Sequence, residues 1–134
     1  MLWNVLDDCA PSLKKLESWL EAADRQDVFA YAIAYRNAAE ALTEAVDELH
    51  TPEISEDGSE DFRNWAVAQG EATWRGALGD LAAAYKRHIA GENRWDDKVR
   101  NPAHRGFRAP WYIAVPIFEE RFSEDLRECL DSVL

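Results

Sequence analysis

Val28-Phe29-Ala30-Tyr31-Ala32-Ile33-Ala34-Tyr35-Arg36-Asn37-Ala38-Ala39-Glu40-Ala41-Leu42-Thr43-Glu44-Ala45-Val46-Asp47-Glu48-Leu49 is the stretch whose reading decides the fold class. Val28, Tyr31, Tyr35, Ala38, Leu42, Ala45 and Leu49 return at alternating steps of three and four, which lines them up as one apolar stripe on an α-helix. Phe29, Ile33 and Val46 flank the stripe. Asp27 is placed to cap its start. His50-Thr51-Pro52 ends it, because proline disfavours helical geometry in the residue before it.

The same spacing recurs on either side. Leu6, Cys9, Leu13, Leu16, Leu20 and Ala23 predict a helix over about 9–24, with Asp8 as N-cap, Pro11 in the first turn, and Trp19 widening the buried face. Only Arg25 and Gln26 then separate it from the next helix, so the two are expected to pack as an antiparallel hairpin. Residues 51–60 read as an exposed loop. A third helix, capped by Ser59, carries Phe62, Trp65, Val67, Trp74, Leu78, Leu81, Tyr85 and Ile89. Gly70, Gly76 and Gly79 each cost roughly 1 kcal/mol relative to alanine within it. The surrounding alanines favour close approach of a neighbouring helix as their reason. Trp111, Val115, Phe118, Phe122, Leu126, Cys129 and Val133 form the last stripe, in which Pro116 requires either a helix start or a bend. The expected fold is all-α: one domain over 1–134, an antiparallel four-helix bundle with a long irregular loop (91–110) before the last helix.

A chain of 134 residues with 47% hydrophobic and 31% charged residues is long enough to bury a core of its own. No apolar run approaches the roughly 18 residues of a membrane span, and Met1–Asp8 lacks a basic, apolar leader pattern. A cytoplasmic setting without membrane contact is expected. There, Cys9 and Cys129 act as small apolar side chains rather than as a disulfide. His50, His88 and His104 fall in separate segments and the cysteines are far apart, so neither a metal nor a cofactor site is predicted.

Charge is sorted along the chain. Lys86–Arg108 holds seven Lys/Arg against three acids, whereas the whole chain carries −11. That total disfavours direct nucleic-acid binding except through 86–108, and it suits a basic protein partner. Within the basic window, Arg100-Asn101-Pro102-Ala103-His104 crowds an arginine, an amide and a histidine together. Arginine holds a phosphate with fixed donors and histidine moves a proton near neutrality, the groups that metal-free cleavage by an adjacent 2′-hydroxyl requires. A structural alternative has Arg100 paired with an acid and His104 bonded to a loop carbonyl.

Glu21-Ala22-Ala23-Asp24-Arg25-Gln26-Asp27 followed by Tyr31–Leu42, together with Arg100-Asn101 and His104 before the last helix, resembles the HEPN superfamily (higher eukaryotes and prokaryotes nucleotide-binding) of helical-bundle proteins. The resemblance implies a metal-independent endoribonuclease, or an inactive relative, of a toxin–antitoxin or defence system. Arg100, Asn101 and His104 would be its catalytic residues, and a homodimer would pair two motifs. The Arg-to-His spacing is one residue shorter than the family pattern.

The acidic, Trp-rich body is similar in class to the immunity proteins that block basic nuclease toxins and to inhibitors of defence complexes. The leading functional expectation is therefore a non-enzymatic protein that binds and inhibits or regulates a macromolecular partner. Trp95, Arg100, Arg105, Phe107, Arg108, Glu44, Asp47 and Glu48 are its candidate contacts. Residues 94–111 are expected to be ordered over one end of the bundle, with Trp111 mostly buried and Trp95 more exposed.

Overall fold

Proline, glycine and short polar caps cut the apolar stripes into shorter helices. A computed structural model describes residues 1–48, 56–95 and 110–133, the side chains of 47, 48 and 56–58 excepted. These residues form α1 (Leu2–Cys9), α2 (Leu13–Ala22), α3 (Arg25–Glu40), α4 (Thr43–Glu48), α5 (Glu56–Ala68), α6 (Glu71–Gly79), α7 (Leu81–Ile89), α8 (Pro110–Phe122) and α9 (Leu126–Asp131), with no strand among them. The all-α reading holds, whereas four long uninterrupted helices do not form.

Each break has a local cause. The helix expected over 9–24 starts only at Leu13, and Leu6 and Cys9 of its stripe belong to the separate α1, because Ala10 before Pro11 is extended at φ −58° and ψ 142°. Ser12, not Asp8, caps α2 by accepting from the Lys15 N–H. Ala23 and Asp24, not Arg25 and Gln26, separate α2 from α3, and Asp27 lies in the first turn of α3, where a negative charge suits the dipole. Helix α3 ends at Glu40, yet Leu42 stays fully buried beyond the break.

The expected third helix is α5, α6 and α7. It starts at Glu56, which puts Ser59 inside it rather than at its cap. Gly70 takes φ +109°, a conformation that L side chains rarely adopt, and there α5 gives way to α6. Gly76 and Gly79 have open space where a Cβ would sit, so they do not mark a close helix approach; Gly79 ends α6. Asp80 then caps α7 through the Ala83 N–H. Leu78 and Ile89, expected in the stripe, are exposed. Pro116 lies inside a continuous α8, and the last stripe breaks instead at Ser123, with φ +54°.

Two apolar clusters meet at Trp74. The larger joins α1, α2, α3 and α8 with parts of α5 and α9, while the smaller sets Leu42 and Val46 against Phe62, Trp65, Ala77, Leu81 and Ala84. The Trp74 indole donates to the Ala38 carbonyl at 2.8 Å, and its ring contacts Trp3.

An aromatic line crosses the larger cluster. Centroid distances are 5.6 Å for Trp19–Tyr31, 6.0 Å for Tyr31–Tyr35 and 5.9 Å for Tyr35–Trp111. Each such pair contributes about 0.5–1.5 kcal/mol beyond its buried area. Trp111 is buried as expected. Fully buried Tyr35 donates its hydroxyl to the Asn64 carbonyl at 2.7 Å, pinning α3 to α5.

Helices α3 and α8 run antiparallel, shown by Arg25 against Glu124, Phe29 against Phe118 and Tyr35 against Trp111. Helices α2 and α8 instead bring their C-terminal ends together, where Arg121 Nη1 donates to the Leu20 carbonyl.

Trp95 corrects the expectation of an exposed anchor. It is 4% exposed within the larger cluster, and its indole donates to the Ala68 carbonyl at 2.7 Å. Arg94 Nε donates to that same carbonyl at 2.8 Å, while Arg94 Nη1 reaches Asp7 of α1 at 2.8 Å. A bulky side chain next to a helix-terminal carbonyl is better placed covering that end than standing in water. A Cβ on Gly70 would lie 3.2 Å from the Arg94 guanidinium, so glycine also makes room for this clamp.

His88 is ringed by Phe62, Trp65 and Tyr85 at centroid distances of 5.6, 5.1 and 6.1 Å, and its buried Nδ1 has no hydrogen-bond partner among the described residues. Burial lowers its pKa from the ordinary 6.5.

Two stability predictions result. Trp95→Ala costs about 3–5 kcal/mol by urea unfolding. Trp95→Phe costs only about 1 kcal/mol, because Arg94 still satisfies the Ala68 carbonyl. For His88, the folded state binds fewer protons than the unfolded chain below pH 6.5, so its contribution to stability is complete above that pH and declines as acid is added. The difference in urea midpoint between pH 7.5 and pH 5.5 is predicted to shrink in His88→Gln, pH values about one unit either side of the ordinary histidine pKa.

Candidate interaction surface

The packing of α2, α3, α8 and α9 gathers acids that are remote in sequence. At the end where α2 passes into α3, Glu21, Asp24 and Asp27 are exposed. The end of α8 and the start of α9 arrive beside them, as Arg25–Glu124 (2.8 Å) and the Arg121–Leu20 contact show. They bring exposed Glu120, Asp125 and Glu128. Local structure requires part of this set. Asp125 accepts from the Arg127 and Glu128 N–H groups to start α9, after Ser123 turns the chain.

Two of the cations at this end are already engaged, while Arg127, at the start of α9, is exposed and makes no ion pair among the described residues. Arg25 pairs with Glu124 and lies 5.5 Å from the Phe118 ring centre, while Arg121 is held by the Leu20 carbonyl and lies 4.6 Å from that of Phe122. The carboxylates therefore outnumber the available positive charge, and the end of the molecule is acidic. Such a field steers a basic partner and repels nucleic acid.

A second feature lies along α3, α5, α8 and α9. Arg36, Ala39, Glu40, Glu60, Arg63, Asn64, Trp111, Arg127 and Asp131 line a groove of about 250 Å³. Arg36 is held by Asp131 at 2.9 Å and Glu40 at 3.4 Å. Arg63 donates to the Thr43 hydroxyl at 3.0 Å and the Ser59 carbonyl at 3.3 Å, both uncharged acceptors. Asn64, only 6% exposed, donates from Nδ2 to the Tyr112 hydroxyl at 3.3 Å, and that hydroxyl donates to Glu60 at 3.1 Å. Burial, together with the Glu60 carboxylate, pushes the Tyr112 phenol up to about 12.

Among the residues expected to make contacts, Glu44 is exposed on α4, which also holds Asp47 and Glu48. Trp95 is buried. Arg100, Asn101, His104, Arg105, Phe107 and Arg108, and with them the proposed catalytic motif, lie outside the described residues. His50 does too.

The sequence reading missed Glu21, Asp24, Asp27, Asp125 and Glu128 as one surface, because nothing local links 21–27 to 125–128. Asn64 was the detectable signal for the groove: an amide two residues after Phe62 and next to Trp65 must find partners once buried. Both cysteines are free; Cys9 is buried, which raises its thiol pKa, and Cys129 is half-buried. No family model, curated protein or solved structure matches this chain.

The groove's polar chain is open to titration. Glu60→Gln removes the negative charge beside the Tyr112 hydroxyl and is predicted to lower its pKa from about 12, though burial keeps it above the ordinary 10. Ultraviolet difference titration against a Tyr112→Phe control measures the change.

Proposed function

We propose that this chain is a non-enzymatic interaction protein of the cytoplasm that binds, and thereby inhibits or regulates, a macromolecular partner with a basic surface. The observation that carries the reading is the acidic end, where Glu21, Asp24 and Asp27 stand beside Asp125 and Glu128 while Arg25 and Arg121 are tied to other groups. The net charge of −11 adds a long-range field of the same sign. Glu44, Asp47 and Glu48 on α4 extend the acidic contact set. The basic segment with Arg100, Arg105, Phe107 and Arg108 supplies donors and an apolar anchor on the same partner. Free thiols at Cys9 and Cys129 suit a reducing compartment.

Exposed charges are screened beyond about 8 Å at physiological ionic strength, so affinity for a partner captured and purified with the native chain is predicted to fall as salt rises. Charge reversal of Glu21, Asp24 and Asp27 to lysine should slow association about tenfold or more while changing dissociation less. Stopped-flow mixing measures both rates. An affinity unchanged up to roughly half-molar salt, well beyond the physiological screening regime, assigns the contact to an apolar surface instead and overturns the reading. So does RNA cleavage without metal that disappears in His104→Ala, which returns the protein to the ribonuclease class its resemblance implies.

A further inference from the structure

The groove along α3, α5, α8 and α9 pairs its charged groups unequally. Three guanidinium and three carboxylate groups line it. Two of the carboxylates, Glu40 and Asp131, are both committed to Arg36. The third, Glu60, accepts the Tyr112 hydroxyl. Arg63, by contrast, meets the Thr43 hydroxyl and the Ser59 carbonyl, with no carboxylate partner among the described residues. Arg127 makes no ion pair among the described residues and is exposed. The formal charges of the lining cancel, but each acid already accepts from a donor, whereas Arg63 and Arg127 present guanidinium donors with no carboxylate partner among the described residues.

We propose that this groove is a binding site for a compact anionic group, a carboxylate or a phosphate, gripped by Arg63 and Arg127. A guanidinium offers paired N–H donors in a plane that matches either oxyanion. Hydrogen bonds already orient Arg63, so little side-chain freedom is lost on binding. Buried Asn64 and Trp111 give the groove a fixed wall. The overall charge of −11 excludes a polyanion, since every added phosphate meets the acidic body. A single group experiences mainly its immediate neighbours, because the remote carboxylates are screened. The site is independent of the acidic end and does not require a basic partner.

Arginine side-chain Nε–H signals of the intact chain, followed by NMR during separate titrations with inorganic phosphate and with acetate, test the assignment. Chloride holds the ionic strength constant. Saturable shifts of Arg63 and Arg127 are expected in at least one titration, and the tighter arm identifies the preferred oxyanion. Arg127→Gln, at an exposed position, is expected to weaken binding about tenfold, the loss of one charge-assisted contact. Glu60→Gln removes the opposing charge and is expected to tighten binding about threefold. Shifts that are absent, fail to saturate, or titrate with unchanged affinity in Arg127→Gln overturn the site. Weaker binding in Glu60→Gln overturns it as well, because the acid would then be holding the ligand's positive charge.

Discussion

The carbonyl of Ala68 is the point on which the middle of this structure depends. It closes the C-terminal end of α5, where helix geometry leaves carbonyls without intrahelical donors. Arg94 Nε and the Trp95 indole both donate to it. One acceptor with two lone pairs thus ties the chain after α7 to the end of α5, and the same arginine reaches Asp7 on α1. Gly70 turns the backbone away directly beyond that end, leaving room for the guanidinium. An ordinary side chain at 70 would meet both an unfavourable φ and the arginine. Trp95 is consequently part of the core.

Polar groups inside the structure follow the same economy. Tyr35 donates to a backbone carbonyl, Asn64 to a phenol, and that phenol to a carboxylate. Each bond offsets the cost of taking a polar atom out of water. Tyr31 Oη and His88 Nδ1 are buried without hydrogen-bond partners among the described residues. Burial accordingly favours the neutral form of each, raising the phenol pKa and lowering that of the imidazole. The aromatic line from Trp19 to Trp111 is therefore apolar in effect despite its two hydroxyls.

Charge shows a different organisation. Four of the eight described arginines act as clamps between elements: Arg25 on Glu124, Arg36 on Asp131, Arg94 on Asp7 and Arg121 on the Leu20 carbonyl. Positive charge is spent holding elements together while carboxylates cover the outside. The acidic surface proposed to meet a partner is one result. The groove with Arg63 and Arg127 is the local exception, since there the carboxylates are the engaged groups.

Much of the helix content was legible because its cause is local. The three-and-four spacing of Val28, Tyr31, Tyr35 and Ala38 dictates which face of α3 is buried, and all four are buried. Trp111 could be placed for the same reason. The breaks were harder to read, since Pro11, Gly70 and Gly79 permit either a bend or a packing contact and only their neighbours decide between them. Trp95 had no periodic stripe to assign it, and its burial depends on a carbonyl 27 residues earlier in the chain. The sequence by itself determined helical class, apolar faces and net charge, all of which follow from residue order within a few turns. Tertiary structure alone decided that Glu21 and Asp27 would stand near Asp125 and Glu128, and that Arg36, Arg63 and Arg127 would share one groove. Those neighbours are brought together by the packing of α8 and α9 against α2, α3 and α5, a long-range fit that no local spacing encodes.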